Sequence, residues 1–202
     1  MHSEWLKFKP AEDPALADPQ LPAFEELWAE SAVMWNEHEN DDDFSRFVAA
    51  DYRLVYRVLL RYRDRISNFL EWGSGTGVAT IMASLMGMDA FGIEIESGLI
   101  DRARGLSKKY RSKATFVEGT FIPDEYQWNA ENADEHFRSR IDGPSGYDEM
   151  DLELRDFDLI YAYPWPDEEP LFFDIMKQCA SKNALLITYH VREGMKLTRR
   201  KK

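Results

Sequence analysis

The chain has 202 residues, of which 44% are hydrophobic, so it can build one domain with a sizeable core. Its formal net charge of -12 disfavours RNA or DNA as a partner, because a nucleic-acid surface needs clustered lysine and arginine. A single cysteine, Cys179, allows no disulfide within the chain. With no secretory signal and no apolar run near the roughly 20 residues that span a bilayer, we expect a cytoplasmic protein without membrane contact.

The first 66 residues are predicted to form an N-terminal arm and a helical cap. Three prolines mark residues 1–20 as an extended arm. Apolar residues at helical spacing predict one helix over 21–36 and a second over 44–65. The acidic loop over 36–43 lies between them, and its last aspartates are placed to cap the second helix.

Strands and helices alternate over residues 67–202. The pattern predicts strands at 68–72, 89–96, 114–119, 157–163 and 183–190, with helices at 78–88, 99–111 and 168–180. Such alternation implies an α/β fold with a doubly wound, mostly parallel sheet. Only four residues separate His190 from Met195, too few for a crossover helix, so a final short strand is expected to pair antiparallel. Residues 120–156 are polar and are predicted to be an insertion, with a short helix near 132–140.

A glycine-rich turn, "FLEWGSGTGVAT" over 69–80, follows the first buried strand of this core. Glycines at a strand-to-helix turn let a ligand approach the backbone and the helix N-terminus. No lysine follows Gly77, so the turn is not a P-loop. The dinucleotide pattern fails as well, because Val78 stands six positions along when Gly73 is counted as the first. The remaining pattern is an acidic residue, Glu71, followed by three alternating glycines.

This pattern resembles motif I of the class I S-adenosylmethionine-dependent methyltransferases, over about residues 67–190. The resemblance implies a Rossmann-like fold that binds S-adenosylmethionine and releases S-adenosylhomocysteine. It also implies that the acidic residue and the loop hold the methionine end of the cofactor; these are Glu71, Gly73, Ser74, Gly75 and Gly77. Glu94, which lies 21 positions after Gly73, is expected to accept hydrogen bonds from both ribose hydroxyls.

At the residues that the resemblance places near the adenine, this sequence matches the family pattern less well. Ile95 is expected to stack on the ring. The third strand of the family often ends in an acidic residue just after a glycine, but here Gly119 is followed by Thr120. Glu118 or the backbone of Thr120 therefore remains the expected partner of the adenine amino group.

The acceptor is expected at the exit of the fourth strand, "DLIYAYPWPDEE" over 158–169, because ligands of open α/β sheets bind at the carboxyl ends of strands. Tyr161, on the cofactor side, and Tyr163 and Trp165, on the acceptor side, would form an aromatic wall that suits a sulfonium. His190 ends the fifth strand and is the candidate general base. No metal site is expected, because the acidic loop lacks the spacing of a calcium loop.

Three functions follow from these residues. The first is a methyltransferase acting on a small molecule or a protein side chain. The second is a tRNA or other RNA methyltransferase, since Pro164-Trp165-Pro166 resembles the Asp-Pro-Trp-Pro segment of the guanine-N7 enzymes, although Tyr163 replaces the acid. Convergence of Arg53, Arg57, Arg61 and the basic tail beside Trp165 would favour RNA. The third is a protein that binds the cofactor without turnover.

Overall fold

The computed structural model describes residues 1–8, 18–44, 47–128 and 137–200. Within these residues the strands are β1 (His2–Trp5), β2 (Asn68–Trp72), β3 (Asp89–Glu94), β4 (Thr115–Glu118), β5 (Leu159–Ala162), β6 (Leu185–His190) and β7 (Gly194–Arg199). The helices are α1 (Leu21–His38), α2 (Tyr52–Tyr62), α3 (Val78–Leu85), α4 (Ser97–Lys109), α5 (Gly146–Met150) and α6 (Glu169–Cys179).

The strands form one sheet in the order β1-β7-β6-β5-β2-β3-β4. The central pairs β6-β5, β5-β2, β2-β3 and β3-β4 are parallel, as the alternation of strands and helices predicts. The expected antiparallel partner of β6 is confirmed as β7, and His190 and Gly194 close their hairpin. The doubly wound, mostly parallel fold is therefore confirmed. In the described part of the chain no helix is both long and apolar enough to cross a membrane.

Apolar side chains alternate between the two faces of the sheet. In β2, Phe69 faces a core built with α1, α2, α3 and α4, whereas Leu70 faces a core built with α6. Phe121, Tyr126 and Leu154 complete this second core. The predicted insertion over 120–156 therefore contributes buried side chains to one of the two hydrophobic layers.

The N-terminal region differs from the prediction at two places. The second helix begins at Tyr52 and not at 44, because the Asp51 carboxylate accepts the Leu54 N–H at 3.1 Å and caps the helix there. Residues 47–50 belong to no helix or strand. The arm also contains a strand that the prediction lacks: β1 pairs antiparallel with β7, and the hydroxyls of Ser3 and Thr198 are 2.8 Å apart.

The predicted helix near 132–140 falls partly on residues outside the described ranges, and residues 137–140 are not helical. A short helix forms further along instead. This helix, α5, begins after Ser145, whose hydroxyl accepts the N–H of Tyr147. An isolated β-bridge between Thr120 and Ser145 brings the start of the 120–156 segment next to α5.

Candidate active site

A cleft with a volume of about 1220 Å³ opens at the carboxyl ends of β2, β3, β5 and β6. Its walls include Gly73 of the glycine turn, Trp165 after β5 and His190 of β6. Phe47 and Val48, which precede α2, form a further wall. Pockets for one small molecule usually measure about 300–1,000 Å³, so this cleft has room for a cofactor and a second ligand.

Glu71 lies at the floor of the cleft, between Tyr161 of β5 and Gly92 of β3 in the register of the sheet. Its Oε2 accepts the Thr80 N–H at 3.0 Å and the Thr80 hydroxyl at 2.6 Å. Oε1 has no hydrogen bond within the described residues. Burial raises the pKa of Glu71 to about 8, although the two bonds from Thr80 favour the charged form. The ligand-free site therefore holds a carboxyl group that a cation would ionise.

Two hydroxyl groups beside Glu71 are buried and lack a hydrogen-bond partner among the described residues. They belong to Tyr161 and Ser74, and both residues line the cleft. Burial raises the pKa of Tyr161 well above its usual value, and the charge of Glu71 adds to this effect. A buried polar group without a partner costs on the order of 1–3 kcal/mol. These two groups are therefore positioned to be satisfied by a polar ligand.

The carboxylate of Glu94 lies at the end of β3 and is held by three backbone N–H groups. Ile95 and Glu96 donate to Oε1 at 2.8 and 3.1 Å, and Gly75 donates to Oε2 at 2.8 Å. Burial raises the pKa of Glu94 even though these bonds oppose the rise. A carboxylate has about four acceptor positions. One position, on Oε2, is left for a ligand hydroxyl, where the sequence led us to expect two ribose contacts.

The three glycines of the turn have different surroundings. Gly73, with φ of +67°, has open space beside it and lines the cleft. A Cβ on Gly75 would lie 2.3 Å from the ring of Phe47, and one on Gly77 would lie 2.5 Å from Phe116. Gly75 and Gly77 are therefore covered by aromatic rings and, in this structure, shape the turn without lining the cleft.

The residues expected near the adenine are only partly brought together. Ile95 and Gly119 line the cleft. Glu118 is exposed and Thr120 is buried, and the structure places neither in its lining. The Thr120 N–H donates to the Pro144 carbonyl at 2.9 Å, so this backbone donor is already used. The structure therefore gives no support to Glu118 or Thr120 as adenine partners.

The part of the cleft at the exit of β5, where the sequence led us to expect the acceptor, is aromatic; we call it the acceptor half. Tyr163 and Trp165 both line it. Tyr163 meets Tyr189 edge-on, with ring centroids 4.8 Å apart. The guanidinium of Arg138 lies over Trp165, 5.5 Å from the ring centroid. Asp167, directly after the proline-flanked tryptophan, has a φ of +71°, which is uncommon outside glycine and frequent at functional sites.

A strap over 138–140 crosses the acceptor half, and sequence patterns gave no signal for it. The buried carboxylate of Glu168 accepts the Ser139 N–H at 3.0 Å and the Ser139 hydroxyl at 2.6 Å. Arg140 pairs with Glu96 at 3.1 Å. The strap is thus tied to both sides of the cleft, to α6 on one side and to the start of α4 on the other.

Trp72, the residue between Glu71 and the first glycine, anchors the 120–156 segment. Its Nε1–H donates to the Tyr147 hydroxyl at 2.8 Å, and its ring stacks on Phe121 at a centroid distance of 5.3 Å. Both partners come from that segment. The tryptophan therefore fixes the segment against the end of β2 and also lines the cleft.

His190 lies at the rim of the cleft within a network that the sequence did not reveal. Its Nε2 is 2.9 Å from the Thr188 hydroxyl and 3.2 Å from Glu169 Oε1. Lys196 donates to the other oxygen of Glu169 at 2.8 Å. Glu169 is the first residue of α6.

Of the basic residues that the sequence singled out, those that the structure describes do not line the cleft beside Trp165; three other arginines do, namely Arg138, Arg140 and Arg192. Arg53 pairs with Glu25, and neither residue lines the cleft. Arg61 and Arg199 line a separate groove of about 410 Å³, together with the start of β6 at the opposite end of the sheet. Among the described residues, no group of three histidine, cysteine, aspartate or glutamate side chains is placed to hold a metal ion.

No protein-family model matches the chain, and no curated protein matches it. Solved structures do resemble it. The methyltransferase PaMTH1 of Podospora anserina, with bound S-adenosylhomocysteine, aligns at 17% identity over 92% of this chain and 72% of its own, with a TM-score of 0.52. An RNA methyltransferase of Salinibacter ruber, in complex with S-adenosylhomocysteine, aligns at 17% identity over 74% of this chain and 90% of its own, with a TM-score of 0.51.

A Staphylococcus aureus protein, provisionally assigned as a caffeoyl-CoA O-methyltransferase, aligns at 14% identity over 80% of this chain and 72% of its own, with a TM-score of 0.50. These likenesses show that the chain has the class I methyltransferase fold. Because one fold supports many activities, the function has to be argued from the site.

Proposed function

We propose that this protein is an S-adenosylmethionine-dependent methyltransferase that acts on a small molecule or a protein side chain. The observation that carries the proposal is the buried group formed by Glu71, Tyr161 and Ser74 at the floor of the cleft. A carboxyl group with a pKa near 8 and two unpaired hydroxyls suit a ligand that brings a cation and further polar atoms. The amino-acid end of S-adenosylmethionine carries an ammonium and a carboxylate beside its sulfonium.

The cofactor half of the cleft fits the rest of this ligand. Glu71, Gly73, Ser74 and Tyr161 would hold the amino-acid end, and the free position on Glu94 Oε2 would accept one ribose hydroxyl. Ile95 would lie against the adenine. When bound, S-adenosylmethionine supplies a methyl group that is already activated by its sulfonium. The protein therefore has to place the acceptor in line with this methyl group and to exclude water.

The acceptor half supports a compact acceptor more than an RNA. Tyr163 and Trp165 offer flat apolar surface, and the strap over 138–140 covers part of the entrance. A long nucleic acid would need an extended basic surface next to Trp165. The arginines Arg61 and Arg199 instead line the groove at the other end of the sheet.

Calorimetric titration with S-adenosylmethionine and S-adenosylhomocysteine tests the proposal. We expect the wild type to bind both ligands, Glu71→Gln to bind them at least about tenfold more weakly through loss of the cation partner, and Glu149→Gln to match the wild type. Glu149 is an exposed residue of α5 that pairs with Arg104 away from the cleft, so it controls for the chemical change. A wild type that binds neither ligand would contradict the proposal.

A methyl-transfer screen separates an enzyme from a cofactor-binding protein. The wild type is incubated with tritiated S-adenosylmethionine and with separate pools of metabolites, proteins and RNA. We expect label in the metabolite or protein pool. Label in RNA alone would support the RNA alternative. Cofactor binding without transfer to any pool would support a binding protein without turnover.

A further inference from the structure

The pairing of β6 with β7 places three polar side chains on one side of the sheet. Thr188 and His190 are two residues apart in β6, so they point to the same face. Lys196 is the register partner of Thr188 in β7. This face is covered by α6, which begins at Glu169. The four side chains therefore meet where β6 ends and α6 begins.

The contacts among these side chains favour one tautomer of His190. Thr188 lies between the imidazole and the carboxylate, and its hydroxyl donates to Glu169 Oε1 at 3.4 Å. The hydroxyl has one proton, so it accepts from Nε2 of His190 at 2.9 Å. Glu169 Oε1, at 3.2 Å, also favours a proton on Nε2. Nδ1 is then the nitrogen with a free lone pair, and it has no hydrogen bond within the described chain.

The opposite charges of Lys196 and Glu169 cancel within the network. Lys196 pairs with Oε2 of Glu169 at 2.8 Å and neutralises the carboxylate. Trp5 of β1 confines the imidazole, with ring centroids 5.2 Å apart in an edge-on arrangement. The ion pair alone would join α6 to β7. The addition of a histidine that lines the cleft gives the network an oriented imidazole at the cleft wall.

We propose that Glu169, with Thr188 and Lys196, is a positioning group that orients His190 to take a proton from a hydroxyl of the acceptor. The inference rests on the methyltransferase function proposed above. In the step it assigns, the acceptor oxygen bonds to the methyl carbon while the bond from that carbon to the sulfonium sulfur breaks. The hydroxyl proton passes to Nδ1 of His190 and then to solvent, and S-adenosylhomocysteine leaves as the second product.

Among hydroxyl acceptors, the chemistry of a histidine base favours a phenol or an enol. A thiolate, a thioether or a pyridine nitrogen attacks without losing a proton to the protein. An alkyl alcohol is too weakly acidic for an imidazole to assist strongly, because proton transfer is most effective when acid and base are matched. The aromatic wall of Tyr163 and Trp165 also favours a flat, ring-bearing acceptor.

Nitrogen NMR of the ligand-free protein tests the positioning without any activity. The imidazole signals of His190 are identified by their loss in His190→Gln. We expect the wild type to carry the proton on Nε2, Glu169→Gln to move these signals, and Glu149→Gln to leave them unchanged. A proton on Nδ1 in the wild type, or signals that do not respond to Glu169→Gln, would overturn the proposal.

Methyl transfer to four probe compounds tests the acceptor class: phenol, 4-nitrophenol, thiophenol and nicotinamide. We expect the wild type to methylate the two phenols. His190→Gln should lower kcat for phenol by about 100-fold or more, the usual range for a lost general base. The loss should be smaller for 4-nitrophenol, which ionises in solution without help. Glu169→Gln should lower kcat to an intermediate extent with KM unchanged, and the exposed-site control His2→Gln should have no effect.

The outcomes distinguish this inference from the function on which it rests. Calorimetry on each variant confirms that the cofactor half is folded. A wild type that binds no cofactor contradicts the methyltransferase function itself. A wild type that binds cofactor but methylates neither phenol overturns the acceptor assignment. Equal losses for phenol and 4-nitrophenol in His190→Gln would point to a structural role and would also overturn it.

Discussion

Two effects act in opposite directions on the ionisation of Glu71. Its burial beside Tyr161 favours the neutral carboxyl group, and its pKa rises to about 8. The ammonium of a bound amino acid would favour the carboxylate at the same place. The residue therefore lowers the stability of the free protein at neutral pH, and under the proposed function it would provide binding free energy for the ligand.

Replacement of Glu71 by Gln should stabilise the ligand-free protein in a pH-dependent way. The folded pKa, about 8, lies above the ordinary value of 4.5, so the folded state binds the extra proton. Stability contributed by this group is complete below about pH 4.5 and is lost as the pH rises to about 8. Urea unfolding should show little difference near pH 5 and a gain on the order of 2–4 kcal/mol for Glu71→Gln at pH 8. A constant difference at both pH values would contradict this account.

The same group should link ligand binding to pH. Below about pH 8, the free protein carries a proton on Glu71, and a bound ammonium would expel it. Affinity for S-adenosylmethionine should therefore rise between pH 6 and 8, by up to about tenfold per pH unit. Calorimetry in two buffers of different ionisation enthalpy should detect proton release. Glu71→Gln should abolish the pH dependence; wild-type binding that is independent of pH would argue against a cation at this position.

Gly75 is constrained by its backbone and by a neighbouring ring. Its φ of +53° disfavours any side chain, and an added Cβ would lie 2.3 Å from Phe47. Gly75→Ala should lower the free energy of unfolding by about 1–2 kcal/mol. Gly105 is the matched control, because it lies within α4 with open space beside it; Gly105→Ala should stabilise by about 0.5–1 kcal/mol. Urea unfolding of both variants measures the two changes in the free energy of unfolding. Equal changes for Gly75→Ala and Gly105→Ala would contradict this prediction.

At the scale of secondary-structure elements, the site depends on segments that fold onto the ends of the strands. The segment over 47–50, before α2, brings Phe47 over the glycine turn, and the strap over 138–140 is held by Glu168. Trp72 joins β2 to α5 through the hydroxyl of Tyr147. These contacts bring together residues far apart in sequence, and they give the cleft two of its walls.

Substitutions of Trp72 and Tyr147 should have coupled effects on the free energy of unfolding. Trp72→Phe leaves the buried Tyr147 hydroxyl without its donor, and Tyr147→Phe leaves the indole N–H without its acceptor. Each change should cost about 1–3 kcal/mol, but the double variant should cost less than their sum by about 1 kcal/mol or more. Thermal or urea unfolding of the wild type, the two single variants and the double variant measures these free energies. Additive losses would show that the hydrogen bond does not anchor α5.

For the whole molecule, sequence patterns located the parts that depend on local signals. Buried apolar runs bounded by polar or glycine residues predicted the central strands, and the glycine turn predicted the edge of the sheet where the cleft lies. β1 was missed because its four side chains are exposed and its partner, β7, lies at the other end of the chain. The contacts of Glu169 with His190 and Lys196 were missed because they depend on the β6–β7 register.

The distribution of charge in the whole molecule agrees with a site for a compact cationic ligand. Glu71 and Glu94 lie on the cofactor side of the cleft, whereas Arg61 and Arg199 line the groove at the opposite end of the sheet. The whole chain carries a net charge of -12. Three arginines line the cleft, Arg138, Arg140 and Arg192, but Arg61 and Arg199 do not extend this surface; together with the net charge, this is the reason that we rank RNA below small-molecule and protein acceptors.

A crystal structure determined with S-adenosylhomocysteine tests the central claim most directly. We predict that the ligand lies along the carboxyl ends of β2 and β3, with its amino group toward Glu71 and Tyr161 and a ribose hydroxyl bonded to Oε2 of Glu94. Its sulfur should face the acceptor half, toward Trp165. Ligand bound elsewhere on the molecule, or a cleft that stays empty at saturating ligand, would contradict the account.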